Sequence, residues 1–315
     1  MMIFSNVVTR GEPSAFDDVT ETGGKSAGLL WHSGERKMRL RSAETCFVEA
    51  GSGFPVVLLH GLIGYSFNWR KNIAALAERF RVLAPDLAGC GRSGPLREGR
   101  YGVARWSGQL EEFLDALGIR KAHLVGTSAG GAVALEFAAR CPERVERMVL
   151  AAPVTPFSRR VVRLTRLYRW SGMPMPALKA LVQAAPHLLP WLFRRRYYYD
   201  PSRISRETIP GYLEGLCGER TAQVLRESIL DWDANRSAAE IARAGVPVLL
   251  LWGEQDKLIP PVCAAPLTEA LPQASLSIIP RAGHFCYEER PESFNEHVLN
   301  FLPARPVSAG PRPGE

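Results

Sequence analysis

The chain reads as an α/β fold: a doubly wound, mostly parallel sheet with a helical insertion. Three observations lead there. Short apolar runs alternate with helical patterns over most of the 315 residues, the alternation lapses once, between about 153 and 235, and a Gly-x-Ser-x-Gly sequence stands where one apolar run passes into a helix. Alternating strands and helices argue for a parallel sheet covered on both faces. Right-handed crossovers make the doubly wound arrangement the default.

Residues 1–37 hold Gly, Ser, Thr and charges with little periodicity and are assigned to a poorly ordered segment, 1–28 above all. Strands are predicted at 38–49, 56–59, 82–85, 122–126, 148–152, 246–252 and 276–280. The run Val246-Pro247-Val248-Leu249-Leu250-Leu251-Trp252 is nearly all apolar, as a strand buried on both faces is. Helices are predicted between them at 69–80, 105–117, 130–140, 261–271 and 291–302. The lapse in alternation holds helical patterns broken by prolines, at 159–170, 175–184, 187–199, 205–216 and 221–231. Residues 38–153 and 237–303 then form the core, 154–236 the insertion, and 304–315, rich in Pro, Gly and Ala, a disordered tail.

The junction carries the chemistry. Ala122-His123-Leu124-Val125 leads into Gly126-Thr127-Ser128-Ala129-Gly130, and a helical stretch follows. A Gly-x-Ser-x-Gly sequence between strand and helix is the arrangement of a nucleophile elbow, where the serine is held strained and exposed. The bland alternative is a tight turn with a surface serine, since small residues favour turns anyway. A serine needs a base to take its proton. Downstream, the strand at 246–252 ends in Gly253-Glu254-Gln255-Asp256, which offers two acids. The next strand ends in Pro280-Arg281-Ala282-Gly283-His284, which offers a histidine. In sheets of this kind the site lies beyond the carboxyl ends of the strands, where all these residues fall.

Five stretches, in order, carry a resemblance to a known family: His60-Gly61, Pro85-Asp86-Leu87-Ala88-Gly89-Cys90-Gly91-Arg92-Ser93, the Ser128 elbow, Trp252-Gly253-Glu254-Gln255-Asp256, and Ala282-Gly283-His284-Phe285. From about residue 47 to 302 the chain resembles the α/β-hydrolase family. The resemblance implies Ser128 as nucleophile, His284 as general base and Asp256 as the acid, ahead of Glu254. Imidazole shuttles protons near neutral pH, and the acid fixes the ring's tautomer without taking the proton. The oxyanion donors implied are the N–H groups of Leu62 and Ala129, the latter at a helix start where the dipole favours negative charge. His60 is expected to fix its loop by hydrogen bonds. His123 is expected at a solvated strand edge, and His32, His187 and His297 match no motif. Where residues 154–236 fall, the family carries a helical cap, which would exclude water from the elbow.

The resemblance implies a serine hydrolase that cleaves a carboxylic ester or related acyl bond, and the apolar residues Leu181, Val182, Leu188, Leu189, Trp191, Leu192 and Phe193 of the insertion suggest a fairly hydrophobic small molecule. Carbon–carbon bond hydrolases, thioesterases and cofactor-free perhydrolases of the same fold remain open, as does a non-catalytic ligand receptor. Carbon–carbon hydrolases usually carry Trp after the catalytic His, where this chain has Phe285.

No cofactor or metal is expected. Gly89-Cys90-Gly91-Arg92-Ser93-Gly94 lacks dinucleotide spacing, and the six cysteines show no C-x-x-C pair. Cys286 either lines the site or packs beside it. No stretch approaches the roughly 20 apolar residues of a membrane span, and the N-terminus lacks the pattern of a secretory signal, so a cytoplasmic protein is expected. Charge is concentrated in the insertion. From Arg159 to Arg206 there are 11 bases against one acid, a balance of +10 within a chain of +7. A solvated basic face is the plain reading. Peripheral contact with an anionic membrane is the second, because bases alternate with apolar residues in 160–169. Attraction of an acidic substrate is the third. The Arg194-Arg195-Arg196-Tyr197-Tyr198-Tyr199 run stands without a nucleic-acid motif, and no nucleic acid is expected.

Overall fold

The computed structural model describes residues 20–21, 34–62, 64–158, 161, 163, 167, 171, 173–216, 219–230, 242 and 245–303. Among these residues the sheet has nine strands: β1 (Thr20–Glu21), β2 (Glu35–Arg39), β3 (Glu44–Ala50), β4 (Pro55–Leu59), β5 (Arg81–Pro85), β6 (Ala122–Thr127), β7 (Val145–Ala151), β8 (Val248–Gly253) and β9 (Ala274–Ile279). They lie in the order β1-β2-β3-β5-β4-β6-β7-β8-β9. β1, β2 and β3 pair antiparallel, β3 meets β5 antiparallel, and from β5 to β9 every pairing is parallel.

The period-2 geometry of a strand sends alternate side chains to opposite faces, and here both faces are dry. Val57, Leu59, Leu83, Leu124, Leu150 and Leu250 pack on one side with Trp106, Leu110, Phe113, Val133 and Phe137. Those five come from α2 (Val103–Ala116) and α3 (Ala129–Arg140). Val56, Leu58, Val82, Val125, Val149 and Leu251 pack on the other with Ile73, Leu76, Phe294 and Val298. These four belong to α1 (Ile73–Ala77) and the last helix of the chain. Continuous apolar runs are what a sheet buried on both faces requires.

Two elements differ from expectation. The run 38–49 is not one strand but the hairpin of β2 and β3, closed by Leu40 N–H donating to Ala43 O at 3.0 Å. Arg41 and Ser42 supply the bend, and β2 begins at Glu35, inside the segment expected to lack order. The helix expected at 69–80 is a single 3-10 turn, Ser66–Trp69, followed by the short α1. Asn72 explains the break. Its side-chain amide donates to Tyr287 O at 3.0 Å and to Asn295 Oδ1 at 2.8 Å, so it ties two elements together instead of continuing one.

After β7 come α4 (Met175–Gln183), α5 (Ala185–Leu192), α6 (Thr208–Glu214) and α7 (Glu219–Leu230). The helix expected at 187–199 ends early, in a π turn at Phe193–Tyr197, three residues after Pro190, which has no N–H to give the ladder. Val161, Arg163 and Leu167 are helical, and the rest of the helix expected at 159–170 lies outside the described residues, as do His32, the tail 304–315 and all of 1–33 but the two residues of β1. α8 (Ala264–Ala270), α9 (Cys286–Glu289) and α10 (Pro291–Phe301) follow among the described residues. No helix among the described residues is long and apolar enough to cross a membrane.

Candidate active site

Ser128 sits between β6 and α3 at φ 51° and ψ −116°, the left-handed half of the map that a side chain rarely enters. Four hydrogen bonds hold it there. Its N–H donates to Ala151 O at 3.0 Å, and its carbonyl accepts from Gly131 (3.1 Å), Ala132 (3.3 Å) and Val154 (3.0 Å). The flanking glycines are needed by close approach. A Cβ on Gly126 would lie 2.6 Å from Gly130 O, and one on Gly130 would lie 2.5 Å from His60 O. The elbow spacing in the sequence is therefore the footprint of α3 pressing on β4 and β6.

Asp256 and His284 come together from the loops after β8 and β9. His284 Nδ1 lies 2.7 Å from Asp256 Oδ2, and the two residues are 1% and 4% exposed. A carboxylate oxygen can only accept, so Nδ1 carries the proton and Nε2 is left as the basic nitrogen. The other oxygen, Oδ1, accepts from Leu258 and Ile259 N–H, both at 2.8 Å, which fixes the carboxylate plane. Glu254 is exposed and accepts instead from Gln255 Nε2 at 2.6 Å. Of the two acids in this turn, the structure brings Asp256 to the histidine.

Ser128 and His284 line one cavity of about 280 Å³, together with Leu62 and Ala129. A Cβ on Gly61 would stand 3.5 Å from Ser128 Cβ, so the Gly61-Leu62 backbone runs beside the serine. Ala129 is the first residue of α3, where N–H groups have no partner within the helix. Both residues implied as donors thus line the cavity.

His60 clamps this loop. Its Nε2 accepts Leu87 N–H at 2.9 Å, which leaves Nδ1–H to donate to Gly61 O at 2.8 Å. Complete burial pushes its pKa down to about 4, so the ring is neutral. Asp86 is its neighbour in function. Its carboxylate accepts from Ser66 N–H (2.7 Å) and Arg92 N–H (2.9 Å), while burial pushes it up to about 6 against those bonds. The Pro85–Ser93 stretch of the sequence is therefore scaffold for the Gly61-Leu62 turn.

Among the described residues, the other histidines stay away from the cavity. His123 is the correction: it is fully buried, not at a solvated edge, with its ring 4.8 Å from Phe54 and 5.9 Å from Phe80. β6 lies between β4 and β7, so it has no free edge, and every one of its residues is buried. His187 is exposed and His297 bonds within its own helix, Nδ1 to Ser293 O at 2.7 Å. Cys286 is buried in α9 and is absent from the cavity wall, and burial pushes its thiol well up. Cys46, Cys90, Cys141, Cys263 and Cys286 are free thiols, and no cluster of three metal-ligating side chains occurs among the described residues.

The rest of the wall was not legible beforehand. Val154, Val161, Tyr197, Leu225, Ile229, Leu258, Ile259 and Phe285 give it an apolar lining, with Asn68 as the one amide. Five of these, Val154, Val161, Tyr197, Leu225 and Ile229, come from the segment between β7 and β8. Phe285 anchors that segment: its ring stacks on Tyr212 (5.6 Å, 5°) and lies 4.6 Å from Tyr197. Its N–H donates to Tyr197 O at 3.2 Å. The 1%-exposed carboxylate of Glu289 accepts from Gly283 N–H (2.7 Å), Tyr199 N–H (3.1 Å) and Asp200 N–H (2.6 Å). One buried acid thus joins the residue before His284 to the inserted segment. Spacing in the sequence gives no sign of such a joint, because its partners are backbone groups 89 and 90 residues away.

Comparison with known proteins adds four findings. A model described as "Alpha/beta hydrolase family" matches residues 56–297. The 2-hydroxy-6-oxo-6-phenylhexa-2,4-dienoate hydrolase of Burkholderia cepacia is 31% identical over 272 residues, which cover 81% of this chain and 89% of the relative. Among solved structures, the epoxide hydrolase CorEH superposes with TM-score 0.71 at 24% identity, over 85% of this chain and 97% of that one. A thermophilic esterase from Thermogutta terrifontis superposes with TM-score 0.67 at 23% identity, over 84% and 97%. At such identities these two structures speak for the fold alone.

Proposed function

This chain belongs to the alpha/beta hydrolase family and is a hydrolase, and from that premise we propose that it cleaves carboxylic esters of small hydrophobic molecules through an acyl-enzyme on Ser128. The observation that carries the reading is the shared cavity. An apolar chamber opens onto a strained serine at one wall and an aspartate-oriented histidine at the other.

Ser128 Oγ attacks the ester carbonyl carbon while His284 Nε2 takes its proton. The carbonyl oxygen becomes an oxyanion facing the N–H groups of Leu62 and Ala129, each such donor being worth about 3–4 kcal/mol in the transition state. The C–O bond then breaks, His284 gives the proton to the leaving alcohol, and the acyl group stays on Ser128. Water, deprotonated by His284, attacks the acyl carbon, the C–Oγ bond to Ser128 breaks, and His284 returns the proton to Oγ as the acid leaves. Asp256 stabilises the imidazolium in both halves. The segment between β7 and β8 acts as the cap that keeps bulk water from the chamber.

Carbon–carbon hydrolysis is the second reading, favoured by the Burkholderia cepacia relative, whose name describes a dienoate hydrolase. A dienoate carries a carboxylate, and a buried charge needs a partner. No Lys or Arg stands among the described residues that line the cavity, which favours the neutral ester. Nitrophenyl esters from short to long acyl chains, assayed beside a phenyl-substituted dienoate, separate the two. Ester turnover that vanishes in Ser128→Ala, with slow or no dienoate turnover, is expected. Faster dienoate cleavage would overturn the assignment.

A further inference from the structure

The inserted segment has an outward face that acyl transfer does not use, basic and apolar at once. α5 runs on through the π turn as one helical stretch, Ala185 to Tyr197. Its inner side is buried, with Leu189 5% and Phe193 0% exposed. Its outer side carries His187, Trp191, Arg194 and Arg195 at helical spacing, all exposed, and Arg196 beside them. Trp191 is 54% exposed, and Leu181 on α4 and the helical Leu167 are 50% and 56% exposed. The acids that follow are turned elsewhere. Asp200 accepts from Ser202, Glu207 lies 4.0 Å from Arg70, and Glu214 pairs with Arg92.

Solubility alone would keep the arginines and gain nothing from a tryptophan in water. A bilayer with anionic headgroups satisfies both halves of the face. Aromatic rings with one wet edge settle at headgroup level, and each base near such a surface adds attraction within a Debye length. We propose that this face docks the protein peripherally onto anionic membrane, with Trp191 in the interface and Arg194, Arg195 and Arg196 against lipid phosphates. The docking stands apart from the chemistry at Ser128. Only its consequence rests on the esterase reading: Tyr197, at the end of the same stretch, lines the cavity, so docking brings the chamber to where apolar esters concentrate.

The test is co-sedimentation of the Ser128→Ala protein with vesicles of phosphatidylcholine, with and without one-third phosphatidylglycerol, at low and high salt. Binding to the anionic vesicles only, weakened by salt, is expected. Arg194→Glu/Arg195→Glu/Arg196→Glu should lower the partition coefficient about 100-fold, and Trp191→Ala roughly tenfold. Circular dichroism, and nitrophenyl acetate turnover of the same substitutions with Ser128 intact, check that the fold survives. No binding to anionic vesicles, equal binding to neutral ones, or indifference to charge reversal overturns the proposal. So does light scattering in which Trp191→Ala splits an oligomer while vesicle binding is unchanged, which would make the face a subunit contact.

Discussion

Ser128 holds a backbone conformation that costs about 1–3 kcal/mol, and it stays there because four backbone bonds fix it from both sides. The adjoining pair, His284 with Asp256, divides its labour by atom. Asp256→Asn would present an amide to Nδ1 and favour the wrong tautomer, so kcat should fall about 10⁴-fold with stability little changed; a loss under tenfold would place the acid elsewhere. His60 makes a different prediction. Its ring ordinarily titrates at 6.5 but at about 4 in the fold, so between those values the unfolded chain binds a proton that the folded one refuses. Stability is therefore lost as pH falls through that window, by up to about 3 kcal/mol. Asp86, pushed up to about 6, works in the opposite sense below that pH and masks the loss. His60→Gln should be less stable than wild type at pH 7, and the gap should close as pH falls to 4 in urea titrations. A constant gap would contradict the neutral, buried ring. At this scale the sequence made Ser128, Asp256, His284 and the loop-fixing His60 legible, because each sits in a local motif. It misjudged His123, whose burial depends on which strands flank β6.

α3 can seat its first turn against β4 only because Gly130 has no side chain. Gly130→Ala, with its new atom 2.5 Å from His60 O, should cost about 3 kcal/mol or prevent folding. Gly108, on α2, is the contrast. Nothing lies within 4 Å of a Cβ built there, so Gly108→Ala should stabilise by about 0.5–1 kcal/mol. Thermal melts of the two variants should shift in opposite directions. Between elements, Arg70 and Glu288 form an ion pair 4% and 0% exposed, with Tyr212 OH donating to Glu288 at 2.9 Å and Thr208 at 3.4 Å. Through Thr208 and Tyr212 the pair ties α6 of the inserted segment to α9 of the core. Arg70→Met should cost about 3–5 kcal/mol by stranding a buried carboxylate, and adding Glu288→Leu should recover most of it. No recovery in the double variant would mean that the pair matters through packing alone. Strands buried on both faces and long periodic helices were readable as patterns. The β2–β3 turn and the early end of α5 were not, since each is decided by a few residues whose partners are distant or whose break is local.

Over the whole molecule, β6, β8 and β9 bring residues 128, 256 and 284 to the carboxyl ends of the strands, and the segment after β7 closes over them through Phe285, Glu288 and Glu289. The fold and the triad candidates were legible because strand order follows from alternation and motif order. The size and lining of the chamber were not, because Val161, Tyr197, Leu225 and Ile229 reach it from helical turns whose inward faces depend on how the segment docks. A chamber of about 280 Å³ lies near the lower end of small-molecule sites, so short and medium acyl esters should be turned over faster than long ones. The most direct test of the central claim is labelling with a fluorophosphonate, followed by peptide mass spectrometry. A single adduct on the peptide that holds Ser128, formed in wild type and strongly slowed in His284→Asn, is the predicted result. No adduct, or one on another serine at an equal rate, would contradict it.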